Sequence, residues 1–314
     1  MRNRDRSLRR GAAVLAAAAT LALAPAAPAQ SQARGLDAAR IVPERVGVPS
    51  WDLGPDGAPV RLDGWLYRPA GAGPFPAVVG MHGCAGMLNQ RGRPTPIYRQ
   101  WGEALAAEGY LVLFPEGFRS RGFEQVCTLR GRDRPVVPSR QRRADALGAL
   151  AWLLAQPEVD PARIALIGWS NGGSTALWSN DKNRLQEADI TRLNGRFFRA
   201  AIAFYPGCTD PLRAASWRPQ APLLILIGAA DDWTPAAPCE GLAQRAAQAG
   251  QPVAIRLYPG AHHAFDHPSL PLRERAGLGF SVNGRGTAHV GTDPAARADA
   301  LARVPAFLRE QLGR

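Results

Sequence analysis

The segment Gly168-Trp169-Ser170-Asn171-Gly172-Gly173 constrains this chain more than any other. It follows the apolar run Ile164-Ala165-Leu166-Ile167 and precedes a stretch that reads as a helix. A Gly-x-Ser-x-Gly sequence between a buried strand and a helix makes a very sharp turn. Small residues two positions either side of the serine let strand and helix pass closely. The serine is pushed into strained dihedrals, with its Oγ exposed above the carboxyl end of the strand. The helix N-terminus behind it offers backbone N–H groups and a positive dipole to a developing oxyanion. Ser170 is therefore the candidate nucleophile, rather than an ordinary turn serine.

The rest of the chain is built to carry such a turn. Residues 60–69 read as an edge strand, and the apolar run from Phe75 to Met81 ends in His82-Gly83. Residues 97–109 have helical spacing, with Trp101, Leu105 and Ala106 on one face and Gly109 as the stop. Strands follow at 110–115, 163–168, 198–205, 223–228 and 253–258, and helices at 140–154, near 238–249 and at 294–312. The strands are continuous apolar runs rather than alternating ones. That pattern predicts a mostly parallel sheet with helices on both faces, an α/β fold, in one domain over 30–314. Two stretches break it: a long polar loop at 117–139 and a shorter insertion at 181–195. Long loops in compact domains are usually functional or mobile.

Composition closes off several alternatives. The 314 residues include 33 Gly and 28 Pro, and 46% are hydrophobic. Those values exclude a low-complexity or collagen-like chain. Five arginines between Arg2 and Arg10, an apolar stretch at 11–24 and Ala27-Pro28-Ala29 follow the plan of a secretory signal at 1–29. The apolar stretch is short against the roughly 20 residues that a membrane span needs. No second apolar run of that length follows, so the mature chain is expected to be soluble, periplasmic or secreted, and off the membrane. Its four cysteines would meet an oxidising compartment, where disulfides persist.

A serine hydroxyl needs a base to take its proton. In a strand–elbow–helix scaffold the triad order is serine, acid, histidine. Gly228-Ala229-Ala230-Asp231-Asp232-Trp233-Thr234-Pro235 follows one late strand, and Ala261-His262-His263-Ala264-Phe265-Asp266 follows the last. The separations, 61 residues from Ser170 to Asp231 and 32 from Asp231 to His263, each leave room for about one strand–helix unit. Asp231 or Asp232 could be the acid; the distances from Gly228 and Pro235 favour Asp231. His262 or His263 could be the base, with His263 favoured. Asp266 is expected to cap or pair locally.

These segments resemble the dienelactone hydrolase family of α/β-hydrolases. The resemblance rests on His82-Gly83-Cys84, the elbow around Ser170, Gly228-Ala229-Ala230-Asp231 with Pro235, and His263-Ala264-Phe265, in that order over most of the chain. It implies the α/β-hydrolase fold and ester hydrolysis through a covalent acyl-enzyme, with Asp231 and His263 beside Ser170. It also implies an oxyanion hole from the backbone N–H groups of Cys84 and Asn171, with His82 structural. The family's namesake has cysteine where this chain has Ser170, so the chain looks more like a general carboxylesterase. By the same resemblance Arg119 lies where the namesake holds a substrate carboxylate, a role suited to the guanidinium fork; a solvated loop charge is the other reading.

The cysteines all fall after strand ends. Pairing Cys84 with Cys127 would pin the long loop over the oxyanion hole, and pairing Cys208 with Cys239 would tie two neighbouring loops. Trp169 and Trp233 are candidate pocket walls or core residues. Arg130, Arg132, Arg134, Arg140, Arg142 and Arg143 form a basic stretch without aromatic interleaving, read as a solvated face rather than a nucleic-acid surface. The expected partner is a small-molecule ester, with no metal or organic cofactor. A peptidase or amidase with the same triad is the nearest alternative, although the chain leaves no room for a gating propeller. A non-catalytic binding protein on the same scaffold is the alternative from another class.

Overall fold

The computed structural model describes residues 41–313. The signal segment expected at 1–29 lies outside the described residues. Eight strands form one sheet: β1 (Glu44–Leu53), β2 (Pro59–Tyr67), β3 (Phe75–Met81), β4 (Leu111–Pro115), β5 (Val159–Trp169), β6 (Ala200–Phe204), β7 (Leu223–Gly228) and β8 (Val253–Tyr258). Their order is β1-β2-β4-β3-β5-β6-β7-β8. Pairing is antiparallel from β1 through β2 to β4 and parallel from β4 to β8. Every residue from Ile164 to Trp169 is buried. Successive strand side chains face opposite ways, so both faces of the sheet are covered.

The stretch expected as an edge strand is not at the edge. β2 lies between β1 and β4, and β1 takes the edge. β1 was hidden in the sequence because its residues are half polar and only Val48 and Ser50 are fully buried. The main helices are α1 (Pro96–Ala107), α2 (Gln141–Leu154) and α3 (Asn171–Ser179). The 181–195 insertion contains the short α4 (Glu187–Arg192), and α5 (Thr209–Arg213) follows β6. Then come α6 (Ala236–Gln248) and α7 (Pro294–Leu312). α7 buries Ala296, Ala300, Val304, Leu308 and Leu312, the spacing of one helical stripe.

The sheet's carboxyl edge is built up by two long loops. The 117–139 loop and the 267–293 segment share a small core of their own, with Phe118, Val126, Val136, Leu278, Ala288 and Val290 buried together. Within the second lies a hairpin, β9 (Arg273–Arg275) with β10 (Ala288–Val290). Disulfides join Cys84 to Cys127 and Cys208 to Cys239, so all four cysteines are paired. Among the described residues no helix is long and apolar enough to cross a membrane.

The basic stretch is not a uniformly solvated face. Arg142 is fully buried. Its Nη2 donates to the His82 carbonyl at 2.8 Å, and its Nη1 lies 2.9 Å from His82 Nε2. The Gly117 N–H also donates to that Nε2, at 3.0 Å. With two donors on Nε2, His82 must carry its proton on Nδ1, which faces the Gly83 carbonyl at 2.9 Å. Burial and then the Arg142 charge push the His82 pKa well below the ordinary value, so the ring is neutral. Arg143 bonds Asp189 at 2.8 Å, whereas Arg130 and Arg140 do lie in solvent. Buried arginine was not legible because its partners, His82 and Asp145, come from distant and adjacent turns alike.

Two expectations follow. A Cβ on Gly172 would sit 1.8 Å from the Met81 carbonyl oxygen, and one on Gly168 would sit 2.0 Å from the Gly172 carbonyl oxygen. Neither neighbour is a flexible side chain. Gly172→Ala should therefore destabilise the fold by about 3 kcal/mol or more, read by denaturant unfolding; an unchanged midpoint would contradict this packing. The β9–β10 hairpin is tied to the loop after β7 by Asp232, which accepts from the His289 N–H at 2.7 Å and meets His289 Nδ1 at 2.8 Å. The hydrogen bond and charge of Asp232 raise the His289 pKa. Partial burial pushes Asp232 up, but its bonds from His289 outweigh this and hold it low. The histidine's contribution is thus complete below its ordinary pKa of 6.5 and is lost as pH rises through the raised value. Amide exchange in the hairpin, corrected for intrinsic rates, should be slower at about pH 5.5 than at about pH 8.5. Equal protection at both would remove the clamp.

Candidate active site

Ser170 sits between β5 and α3 with φ 53° and ψ −113°, a conformation that a non-glycine residue rarely adopts. The strain persists because its surroundings fix it. The Ser170 N–H donates to the Phe204 carbonyl at 2.9 Å, and its carbonyl accepts from the Ser174 N–H at 2.8 Å. The parallel pairing of β5 with β6 supplies the first bond and α3 supplies the second. Ser170 is partly exposed and lines a cavity of about 220 Å³ together with Cys84, Tyr98, Trp233 and His263.

His263 and Asp231 meet behind that cavity. The His263 Nδ1 lies 2.8 Å from Asp231 Oδ2, and both side chains are buried. Asp231 Oδ1 accepts from the backbone N–H groups of Trp233 and Thr234 at 2.9 and 2.8 Å. Thr234 Oγ1 lies 3.1 Å from Asp231 Oδ2 and donates to the Tyr205 carbonyl at 2.9 Å. A carboxylate against Nδ1 places the imidazole proton there and leaves the Nε2 lone pair free. His263 Nε2 is buried and has no hydrogen-bond partner among the described residues. The two alternatives at each position part company in space. Asp232 faces the hairpin through His289, while His262 is half-buried with its ring 5.3 Å from that of His289.

The His82-Gly83-Cys84 turn lies against Ser170. A Cβ on Gly83 would stand 3.5 Å from Ser170 Cβ. The Gly83 N–H donates to the Tyr98 hydroxyl at 2.8 Å, and the Cys84 carbonyl accepts from the Val126 N–H at 2.8 Å. The N–H groups of Cys84 and Asn171 have no acceptor among the described residues. His82 is buried and neutral, a support for this turn rather than a base facing the cavity.

Several site expectations need correction. Arg119 does not line the Ser170 cavity; it sits in a separate hollow beside Arg61 and Asp63. The reason is the helical turn it opens. The Glu116 carboxylate accepts from the Arg119 N–H at 2.6 Å, and the side chain swings out to the Asn89 carbonyl at 3.3 Å. The arginines that do line the cavity are Arg273 and Arg275, on a hairpin too short to leave a periodic signal. The Arg275 guanidinium lies 5.3 Å from the centre of the Trp233 ring. Asp266 does not pair locally. It is fully buried and accepts from Trp101 Nε1, Trp169 Nε1 and the Tyr205 hydroxyl, each at 2.8 Å. Trp169 and Trp233 are both buried and both reach the cavity, so wall and core are one role here. Tyr205 was not singled out in the sequence, yet its ring lies 4.4 Å from the His263 ring. A tyrosine just after a strand carries no motif that could have marked it.

Residues 62–312 match the family model described as the dienelactone hydrolase family. The chain is 26% identical over 251 residues to an uncharacterised peptidase, YuxL, of Bacillus subtilis; that match covers 70% of this chain and 36% of the Bacillus protein. It thus spans about a third of that relative's length. A crystal structure from Klebsiella pneumoniae, provisionally named a dienelactone hydrolase, superposes with a TM-score of 0.60 at 20% identity, covering 86% of this chain and 99% of the other. Esterase 2 of Thermogutta terrifontis, in a form phosphorylated by paraoxon, gives a TM-score of 0.57 at 22% identity over 87% of this chain and 96% of the other. At those identities the structures speak for the fold alone, whereas the family match covers most of the sequence. The chain belongs to the dienelactone hydrolase family and is a hydrolase of the α/β-hydrolase fold.

Proposed function

We propose that the protein is an exported serine esterase that cleaves carboxylic esters through an acyl-enzyme. The observation that carries this is the unpartnered His263 Nε2, set by the Asp231–His263 pair in the same cavity as Ser170. Ser170 Oγ attacks the ester carbonyl while His263 Nε2 takes its proton. The carbonyl oxygen becomes an oxyanion facing the N–H groups of Cys84 and Asn171, at the N-terminus of α3. The tetrahedral species collapses as His263 returns the proton to the leaving alcohol. Water, deprotonated by the same Nε2, then attacks the acyl-enzyme; the bond to Ser170 Oγ breaks as His263 returns the proton to that oxygen, and the carboxylic acid leaves. Asp231 holds the imidazole tautomer and stabilises the imidazolium at each stage. No step calls on a metal or an organic cofactor.

The cavity volume of about 220 Å³ suits a small ester. Arg275 is half-buried at its rim and makes no ion pair among the described residues. Burial and the neighbouring Arg273 charge lower its pKa, so an anionic group would relieve both. The pair Arg273 and Arg275 thus takes the recognition role that the family resemblance offered for Arg119, alongside the reading of a solvated loop charge. Export is supported by two disulfides that use every cysteine, together with the leader-like start of the chain.

A fluorophosphonate probe should label Ser170 in the folded protein, and peptide mapping locates the adduct. Ser170→Ala should abolish labelling and lower ester turnover by about 10⁴-fold or more. Unlabelled, folded protein would sink the esterase reading in favour of a binding role. Matched p-nitrophenyl esters and p-nitroanilides separate an esterase from a peptidase or amidase, and preference for the anilides would move the assignment. Arg275→Ala should raise KM about tenfold for esters bearing a free carboxylate and leave neutral acetate esters unchanged. An equal effect on both would remove Arg275 from recognition.

A further inference from the structure

We infer that Asp266 is a positioning residue for this chemistry, a buried carboxyl that fixes the nucleophile's strand and the base's loop in one hydrogen-bonded unit. The inference rests on the esterase reading above. A fully buried carboxylate is costly and is usually matched by a cation. Asp266 makes no ion pair among the described residues and is matched instead by three neutral donors. A leucine would fill the same space but leave the Trp101, Trp169 and Tyr205 donors buried without a partner. Beyond pairing them, the carboxyl adds direction, because two of its donors, Trp169 and Tyr205, belong to different parts of the site.

Oδ2 accepts the indole N–H of Trp169, the residue immediately before Ser170, and that of Trp101 from α1. Oδ1 accepts the hydroxyl of Tyr205, at the end of β6. The far side of that tyrosine ring is the wall of the His263 imidazole, 4.4 Å between ring centres. Its carbonyl takes the Thr234 hydroxyl, which itself lies 3.1 Å from both Asp231 Oδ2 and His263 Nδ1. Asp266 is also three residues beyond His263 on the same loop. Through these arms one carboxyl reaches the neighbour of the nucleophile, the ring beside the base and the hydroxyl beside the acid.

The backbone around the hub is strained on both sides. Tyr205 has φ 35° and Ala264, next to His263, has φ 61°. Such conformations persist only where the surroundings over-determine them. Asp266 bonds the first through its hydroxyl and follows the second by two residues. Three donors aimed at two oxygens match an ionised carboxyl, which accepts only. Burial raises the Asp266 pKa, and the bonds from Tyr205, Trp101 and Trp169 oppose that rise.

The test uses Tyr205→Phe, Asp266→Asn and the double variant of the full chain, with Ser170→Ala as reference. Tyr205→Phe keeps the ring against His263 and removes only its tether. With each variant folded by near-UV circular dichroism, kcat and the rate of fluorophosphonate labelling should both fall about 10- to 100-fold, with KM within about threefold of the parent. The double variant should lose no more than about threefold beyond the worse single one, since both changes cut the same arm. A Tyr205→Phe protein with parental kcat and labelling overturns the inference, even if Asp266→Asn fails to fold. So does a loss confined to KM, or losses that multiply in the double variant. If Ser170→Ala keeps its activity, the esterase reading fails; if it is inactive and Tyr205→Phe is normal, only the role of Asp266 fails.

Discussion

Between β5 and α3 there is room for backbone and hydrogen atoms, and for nothing larger. Gly168 faces the Gly172 carbonyl and Gly172 faces the Met81 and His82 carbonyls, each closer than any side chain could come. That crossing turns the chain at Ser170 and forces its positive φ. It also presses the end of β3 against the start of α3. The His82-Gly83-Cys84 turn therefore lies beside Ser170 because strand and helix approach so closely. The conformation of Ser170 and the position of the end of β3 are consequences of one steric fact.

The turn after β3 needs its own support, since a loop carrying unpaired N–H groups has little to hold it. Two devices supply it. Beneath, Arg142 and the Gly117 N–H fix a neutral His82, while Tyr98 takes the Gly83 N–H. Above, Cys127 and Val126 hold Cys84 by a disulfide and a backbone bond. Burying Arg142 requires that its charge be answered. Asp145, 3.9 Å away, and Arg121, bonded to Asp145 at 2.8 Å, carry the network outward to Asp52 at the surface. A buried charge pair is weak evidence for stability, but a chain of them fixes geometry.

The sheet was legible because its parallel strands are buried on both faces and so appear as unbroken apolar runs, and the elbow because close packing demands glycine at fixed places. The candidate acid and base could be bracketed by their strands, and the geometry separates Asp231 from Asp232 by what each carboxylate touches. What escaped notice shares a different character. β1 is an edge strand with a mixed face, and the β9–β10 hairpin has three residues a side. Neither is long or apolar enough to announce itself. Arg119 failed as a pocket residue because a local cap by Glu116 turned it away, and Asp266 looked local because its three donors lie 61, 97 and 165 residues off. Long-range hydrogen bonds leave no period in a sequence.

The bond between Cys84 and Cys127 joins the turn beside Ser170 to the 117–139 loop. Under the proposed mechanism the same cysteine offers its N–H to the oxyanion. Assembly of that edge is then tied to a chemical event, the loss of two electrons from a thiol pair, which a reducing compartment does not sustain. A copy folded among reduced thiols would have the sheet and the elbow but not the disulfide brace on the turn after β3. Maturation of the fold and maturation of the site are in this sense separate steps, and the second depends on where the chain resides.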